Sequence, residues 1–404
     1  MEKDKPQNPW VMLGCAWLLA FAMFGRLLCL PPIGHLITEK ILLSHGQLGL
    51  IFSLPVGMLA VVAVPGGFLA DRYGIRKAGG FGAAVMAAGS LLTSTAGGFW
   101  DLLGGTCLFG IGFSLVYPNL PKLVGVWFPR EKAGFVTGIY ATGIGTGAAV
   151  ALTITLRTVF PLVKSFQGVF FIWSLPAVLA AILWWMLVRD PGVSSQHKPQ
   201  YDQETNQAHS SESVWKNKGL WLVVFAFFCN NVHFYTWSGW TPKLMMLKGA
   251  SPNLAAFMSS LIQWMSLPAI FLVPWFSYKL GLRKPFVWMA ATIMALASWA
   301  AIYAPVSWSW PIMVVVGIAV TGTFPILVSL PIEMVPKASI GKASGLVLSV
   351  GYMGGLVGPL MAGYSMDATH SLNFALVVLV GVGIIWALLG FLLPETGSRP
   401  SPQE

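Results

Sequence analysis

Twelve stretches of eighteen or more mainly apolar residues follow one another along this chain, and no other feature limits its possible folds so severely. At 1.5 Å per residue, a helix of that length crosses a hydrocarbon core of about 30 Å. The stretches run approximately over 10–33, 46–69, 78–98, 102–124, 134–157, 166–188, 219–241, 253–276, 285–304, 307–328, 341–364 and 371–393. Charged residues make up only 9% of the 404, and hydrophobic ones 56%, whereas a soluble protein carries about 25% charged residues. A soluble enzyme is thereby excluded. The runs are continuous rather than alternating, which excludes an outer-membrane barrel, and there is too much apolar side chain for disorder. The fold class expected is an all-α membrane protein with 12 transmembrane helices.

The formal charge of +10 lies in the connections between apolar runs. It therefore speaks first of orientation in a lipid bilayer, and no nucleic-acid partner is expected. With the N-terminus in the cytoplasm, the outer loops hold only Lys40, Arg157, Lys164, Lys243 and Lys248 of the 24 Lys and Arg residues, and Arg26 lies within a span. This asymmetry predicts a multi-pass protein of the cytoplasmic (inner) membrane with both termini cytoplasmic. The N-terminal MEKDKPQNPW leads into a long run with no short h-region or small-residue cleavage site, so the first span reads as uncleaved. One long polar interruption, Arg189 to Lys218, reads as a linker between six-span halves. The domains expected are 1–189, a linker 190–218, a second half 219–394 and a tail 395–404. Cys15, Cys29, Cys107 and Cys229 lie inside apolar runs without CxxC spacing. No disulfide framework, metal or cofactor is expected from them, and the protein is expected to be a monomer.

Displaced against itself by 207 residues, the sequence matches without a gap. Gly74 falls on Gly281, Arg76 on Arg283, Lys77 on Lys284, Gly110 on Gly317, Pro118 on Pro325, Pro129 on Pro336, Gly138 on Gly345 and Gly147 on Gly354. Because the offset covers six spans, an even number, the halves share one orientation and form two parallel six-helix repeats. Substrate sites in such folds lie near the midplane between the halves.

Between spans two and three runs Gly66-Gly67-Phe68-Leu69-Ala70-Asp71-Arg72-Tyr73-Gly74-Ile75-Arg76-Lys77. Gly74 permits a tight reversal, Arg76 and Lys77 hold the loop in the cytoplasm, and Asp71 can accept hydrogen bonds from a helix N-terminus or an arginine. The loop resembles the G-x-L-a-D-r-x-G-r-k signature of the major facilitator superfamily, in the position that family places it. The resemblance implies a latch in which Asp71, Arg72, Gly74, Arg76 and Lys77 clamp the cytoplasmic ends of the halves in one state and release them in the other. The second copy, Pro274 through Lys284, keeps the glycine and the basic pair but has Tyr278 in place of the aspartate. Within the superfamily the sequence is most similar to the cyanate, nitroimidazole and nitrate/nitrite transporter-like branch. That similarity is carried by Arg26 followed by Pro31-Pro32, by Leu120-Pro121-Lys122 through Glu131, and by Thr137 through Gly143. Val61-Val62-Ala63-Val64-Pro65 lacks the arginine of the nitrate/nitrite pattern, which argues against nitrate itself.

Arg26 is the single charge deep in an apolar run. A cation near the bilayer centre costs about 2.5–3.5 kcal/mol even on lenient insertion scales. It is read as snorkelling or satisfied by carbonyls on one view, and as a cavity charge on the other. No Asp or Glu occupies the centre of any span, so an anionic substrate is its natural partner. The repeat places His233 opposite Arg26. Tyr117, Asn119, Asn230 and Gln263 are auxiliary hydrogen-bonding candidates, each equally able to tie helices together. The function expected is secondary active transport of a small organic or inorganic anion, cyanate-like or a small carboxylate, by alternating access, with protons as a conceivable coupling partner through His233. The competing reading is a proton-coupled efflux antiporter for lipophilic or drug-like compounds, suggested by the many aromatic residues. No HExxH, nucleophile elbow, phosphate loop or paired carboxylates is present, so an enzyme is not expected.

Overall fold

The computed structural model describes residues 8–189, 214–336 and 339–397. Most of the expected linker, 190–213, and most of the tail, 398–404, lie outside the described residues. Fifteen α-helices among them build twelve membrane-length segments. In the first half these are α1 (Pro9–Leu28) with α2 (Leu30–Ile41), α3 (His45–Tyr73), α4 (Ile75–Thr93), α5 (Phe99–Val116) with α6 (Asn119–Trp127), α7 (Arg130–Ile154) with α8 (Phe160–Val163), and α9 (Phe166–Leu187). The second half contains α10 (Lys218–Leu247), α11 (Pro252–Leu280), α12 (Lys284–Tyr303), α13 (Val306–Met334), α14 (Ile340–Thr369) and α15 (Asn373–Leu392). Eleven segments are apolar enough to cross a membrane by composition. The twelfth, α4, is diluted by Gly, Ala and its basic first turn, yet packs along α5 and α9 like the others.

Three segments are interrupted, each for a local reason. The first breaks at Cys29, where Pro31 and Pro32 follow and supply no backbone N–H. The fourth breaks at Tyr117-Pro118. The fifth widens into a π-turn over Thr155–Val159, where the Trp173 indole donates to Thr155 Oγ1 at 2.9 Å. Elsewhere the ends are closed by capping. Ser44 caps α3 reciprocally with Gln47, at 3.1 and 3.0 Å. Gly74 and Gly281 turn their loops at φ 87° and 65°, a region open to glycine.

The repeat in the sequence is a repeat of contacts. A methyl group on Gly147 of α7 would collide with the Phe21 carbonyl of α1, and one on Gly354 of α14 with the Phe228 carbonyl of α10. Phe21 and Phe228 are themselves 207 residues apart. Gly110 against Pro55, and Gly317 against Ile262, form a second pair of equivalent approaches. Lipid tails are as apolar as the buried rings, so such close packing, rather than exclusion of water, supplies the cohesion between helices.

Loops Tyr73–Ile75 and Gly281–Lys284 mark one end of the bundle, called here the basic face. The halves meet through α3 against α14, α7 against α11 and α10 against α2. Among the described residues, hydrogen bonds join them at the opposite end, from His45 and Gly46 to Asp367, and nearer the middle, from Trp264 to Thr153 and from Tyr352 to Tyr117. At the basic face, the ion pairs Lys122–Asp71 and Arg283–Glu333 each stay within one half.

Candidate functional site

Arg26 lies on the last turn of α1 and is 3% exposed. Its guanidinium donates to Thr93 Oγ1 at 2.6 Å and lies over the Phe170 ring at 4.2 Å and the Phe109 ring at 5.5 Å. A longer contact of 3.8 Å reaches Cys29 Sγ, and Nε has no partner. Thr93, Phe109 and Phe170 belong to α4, α5 and α9, so the charge points into its own half. His233 behaves alike. It is fully buried beside Trp386 of α15, ring centroids 5.9 Å apart, with only a loose contact to the Leu379 backbone. The repeat does make the two equivalent, but it turns both outward from the midline rather than toward each other. Among the described residues, Arg26 is the one buried side chain with a fixed charge; no buried Asp or Glu accompanies it.

The midline itself is occupied by phenols. At the break between α5 and α6, Tyr117 is bridged by the Tyr352 hydroxyl of α14 at 3.1 Å, one half touching the other. Tyr140 of α7 and Tyr235 of α10 are buried too, and the Tyr235 ring lies against Gly355, about one turn from Tyr352 on α14. Neither the Tyr140 nor the Tyr235 hydroxyl has a hydrogen-bond partner among the described residues, although the side chains are only 9% and 2% exposed. Phe113 stacks on Tyr117 at 5.8 Å, and Phe227 meets Tyr352 edge-on at 5.5 Å. Phe109 lies 6.0 Å from Phe113. A ladder of rings one helical turn apart on α5 thus runs from the cation at Arg26 to the phenols.

The remaining candidates divide. Asn119 is buried one turn from the cluster, its amide bonded back to the Leu115 carbonyl at 2.6 Å and its Oδ1 unpartnered. Asn230 ties α10 to α13 through the Val320 carbonyl at 2.8 Å, and Gln263 ties α11 to α10 through Ser238 at 2.9 Å. Both are engaged in holding helices together. Sequence reading overlooked Tyr140, Tyr235 and Tyr352 as site residues.

In the loop after α3, Asp71 accepts from Lys122 Nζ at 2.7 Å, and Lys122 also donates to the Gly67 carbonyl at 2.9 Å. Arg76 donates to the Trp185 carbonyl, while Arg72 lies over its neighbour Tyr73 and Lys77 is exposed. In the second half the polarity is reversed. Arg283, in the loop, donates to Glu333 of α13 at 3.1 and 3.2 Å and to Ser277 at 3.1 Å. Tyr278 at the aspartate's position is exposed and takes no part in that bracket.

The sequence profile of the Major Facilitator Superfamily matches residues 15–359, and again 249–404. The chain is 26% identical over 396 residues to the uncharacterized transporter YycB of Bacillus subtilis (strain 168), covering 96% of this chain and 94% of that one. It is 24% identical over 366 residues to the 2-nitroimidazole transporter of Escherichia coli (strain K12), covering 89% of each. Among solved structures, the inward-open xylose transporter XylE from E. coli superposes with a TM-score of 0.78 at 15% identity, over 96% of this chain and 97% of that one.

Proposed function

Since this chain belongs to the Major Facilitator Superfamily, we propose that it is a secondary transporter of a small organic or inorganic anion, cyanate-like or a small carboxylate, working by alternating access. The observation that carries the anion is Arg26: a fixed cation, 3% exposed, in a described interior without a buried carboxylate. An uncompensated charge in a low-dielectric bundle raises the potential inside it and favours a solute of opposite sign. Arg26 and His233 act from behind the midline, Tyr117 and Asn119 contact the solute, and Asn230 and Gln263 fix the helices around it. The positive-inside rule puts the basic face in the cytoplasm of a cell whose inner membrane holds the protein as a monomer, with halves 1–189 and 219–394. Asp71, Arg72, Gly74, Arg76 and Lys77 then form the latch at the cytoplasmic end. The similarity to a 2-nitroimidazole transporter supports a small, polar, conjugated solute.

The test is uptake of labelled cyanate and acetate into proteoliposomes, with and without a proton gradient, by the wild type and Arg26→Gln. At least about tenfold loss of uptake is expected, the worth of one charge-assisted interaction. Uptake unchanged by the substitution would sink the anion reading. A gradient-dependent export indifferent to Arg26 would put efflux of lipophilic compounds in its place.

A further inference from the structure

The outer surface of the second half carries a trough of about 620 Å³ along the seam between α12 and α15. Small residues make its floor. Gly390 lies against the Trp288 backbone and Gly383 against Ala295, which brings the two helices close, and Thr292, Ala295 and Ala387 line the trough between them. Its walls are larger side chains that return on one face of each helix: Trp288, Leu296 and Trp299 on α12, and Ile384, Leu388 and Phe391 on α15. The first half closes the equivalent seam differently. Trp184, 207 residues before Phe391, is fully buried on Gly79, whereas Phe286 holds the glycine's position in the second half. With no glycine to lie on, the Phe391 ring stands out, 61% exposed.

One end of the trough is charged. Lys284, one turn before Trp288 on the same face of α12, lies at the basic face with its ammonium 4.7 Å from the centre of the Phe391 ring. That ammonium makes no hydrogen bond or ion pair among the described residues. The groups around it are engaged elsewhere: Arg283 pairs with Glu333, and the Glu395 carboxylate accepts from the backbone N–H groups of Arg283, Lys284 and Gly397. From Trp288 to Trp299 the trough runs for about 16 Å at the helical rise, close to the depth of one leaflet's hydrocarbon, about 15 Å. Beyond Trp299 a second hollow continues over Tyr303 and Trp308, but there Lys248 donates to the Ala304 carbonyl. Of these two cations, the free one stands at the basic face.

We propose that the trough binds one anionic phospholipid from the leaflet at the basic face, its phosphate on Lys284 and an acyl chain lying between α12 and α15 from Trp288 to Trp299. A zwitterionic headgroup brings its own ammonium, which competes with Lys284 for the phosphate, so an anionic lipid is preferred. The site lies wholly within the second half. A motion of the halves as rigid bodies leaves it intact, and the lipid stays in place in both states, bracing α12 against α15. It depends on the bilayer around the chain and not on the solute carried.

The experiment is native mass spectrometry of the purified full chain in mild detergent, supplied with equal amounts of phosphatidylglycerol and phosphatidylcholine of the same chain length. One phosphatidylglycerol is expected to stay bound, preferred about fivefold over phosphatidylcholine, the worth of one lysine beside a charged headgroup. Lys284→Gln should bring the two lipids level while binding continues. Ala387→Phe, which fills the trough, should remove retention of both, and unfolding temperatures near the wild type's in lipid-free detergent check that each variant folds. Equal retention of the two lipids by the wild type, retention of neither, or a preference that survives Lys284→Gln overturns the site. So does a lipid that remains on the folded Ala387→Phe variant, or a dimer of the wild type that this substitution separates, since a second copy of the chain would then fill the trough.

Discussion

The carboxylate of Asp367, near the end of α14, is held by the first turn of α3: it accepts from the backbone N–H of His45 at 2.8 Å and of Gly46 at 2.7 Å, and meets His45 Nδ1 at 3.0 Å. A carboxylate at a helix N-terminus satisfies otherwise orphaned donors and complements the helix dipole. Because α3 and α14 belong to different halves, this is a clasp between them. Asp367→Asn removes the charge, and the amide can serve at most part of the donor set. We expect the closed population at this end to fall by about tenfold, the worth of about 1.4 kcal/mol. Spin labels on the loops after α2 and α14 would report it as a longer distance, and an unchanged distribution would show that the clasp carries no weight.

Arg26 and Thr93 give a second test, of stability rather than flux. Thr93→Val leaves a guanidinium N–H buried without an acceptor and should cost about 1–3 kcal/mol, read as a lower unfolding temperature. Arg26→Met fills the same space without charge. Replacing a buried ion with an apolar side chain is often neutral or favourable, so its unfolding temperature should stay near the wild type's while anion uptake is lost. The double variant should show no further penalty from Thr93→Val.

For the loop after α3, the pair Lys122–Asp71 is partly solvent-exposed, and such pairs contribute about 0–1 kcal/mol. Asp71→Asn should therefore leave thermal unfolding almost unmoved. If the loop is a latch, turnover falls with little change in half-saturation, because the conformational step rather than binding is affected. A rise in half-saturation at constant turnover would remove the latch role.

Gly147→Ala and Gly354→Ala are expected to behave as a matched pair. Each adds a methyl group where the Phe21 or Phe228 carbonyl already sits, and overpacking of this kind costs typically about 1–3 kcal/mol. Gly345→Ala, on α14 with open space around it, serves as the control and should be neutral. Thermal unfolding in detergent separates the three.

The fold was legible because run length and the 207-residue repeat are global properties, and both survive ignorance of any one side chain. Orientation within a helix was not. Where nearly every face is apolar, no stripe fixes the rotation, so the sequence could place Arg26 in the first segment without saying that it looks toward Phe170 rather than across the midline. The breaks followed prolines, but Cys29 and Tyr117 were not singled out as the places where the chain would bend. Tyrosines are ordinary in membrane proteins, and Tyr352 acquires meaning only once α14 brings it to Tyr117 of the other half.

The approach of Gly49 to the Pro359 carbonyl, and of Gly363 to that of His45, makes the seam between α3 and α14 a meeting of backbones. At those two contacts main chain meets main chain, and no side chain stands between the helices. The fit of the two halves there depends on the shape of the main chain more than on the chemistry of any replaceable side chain.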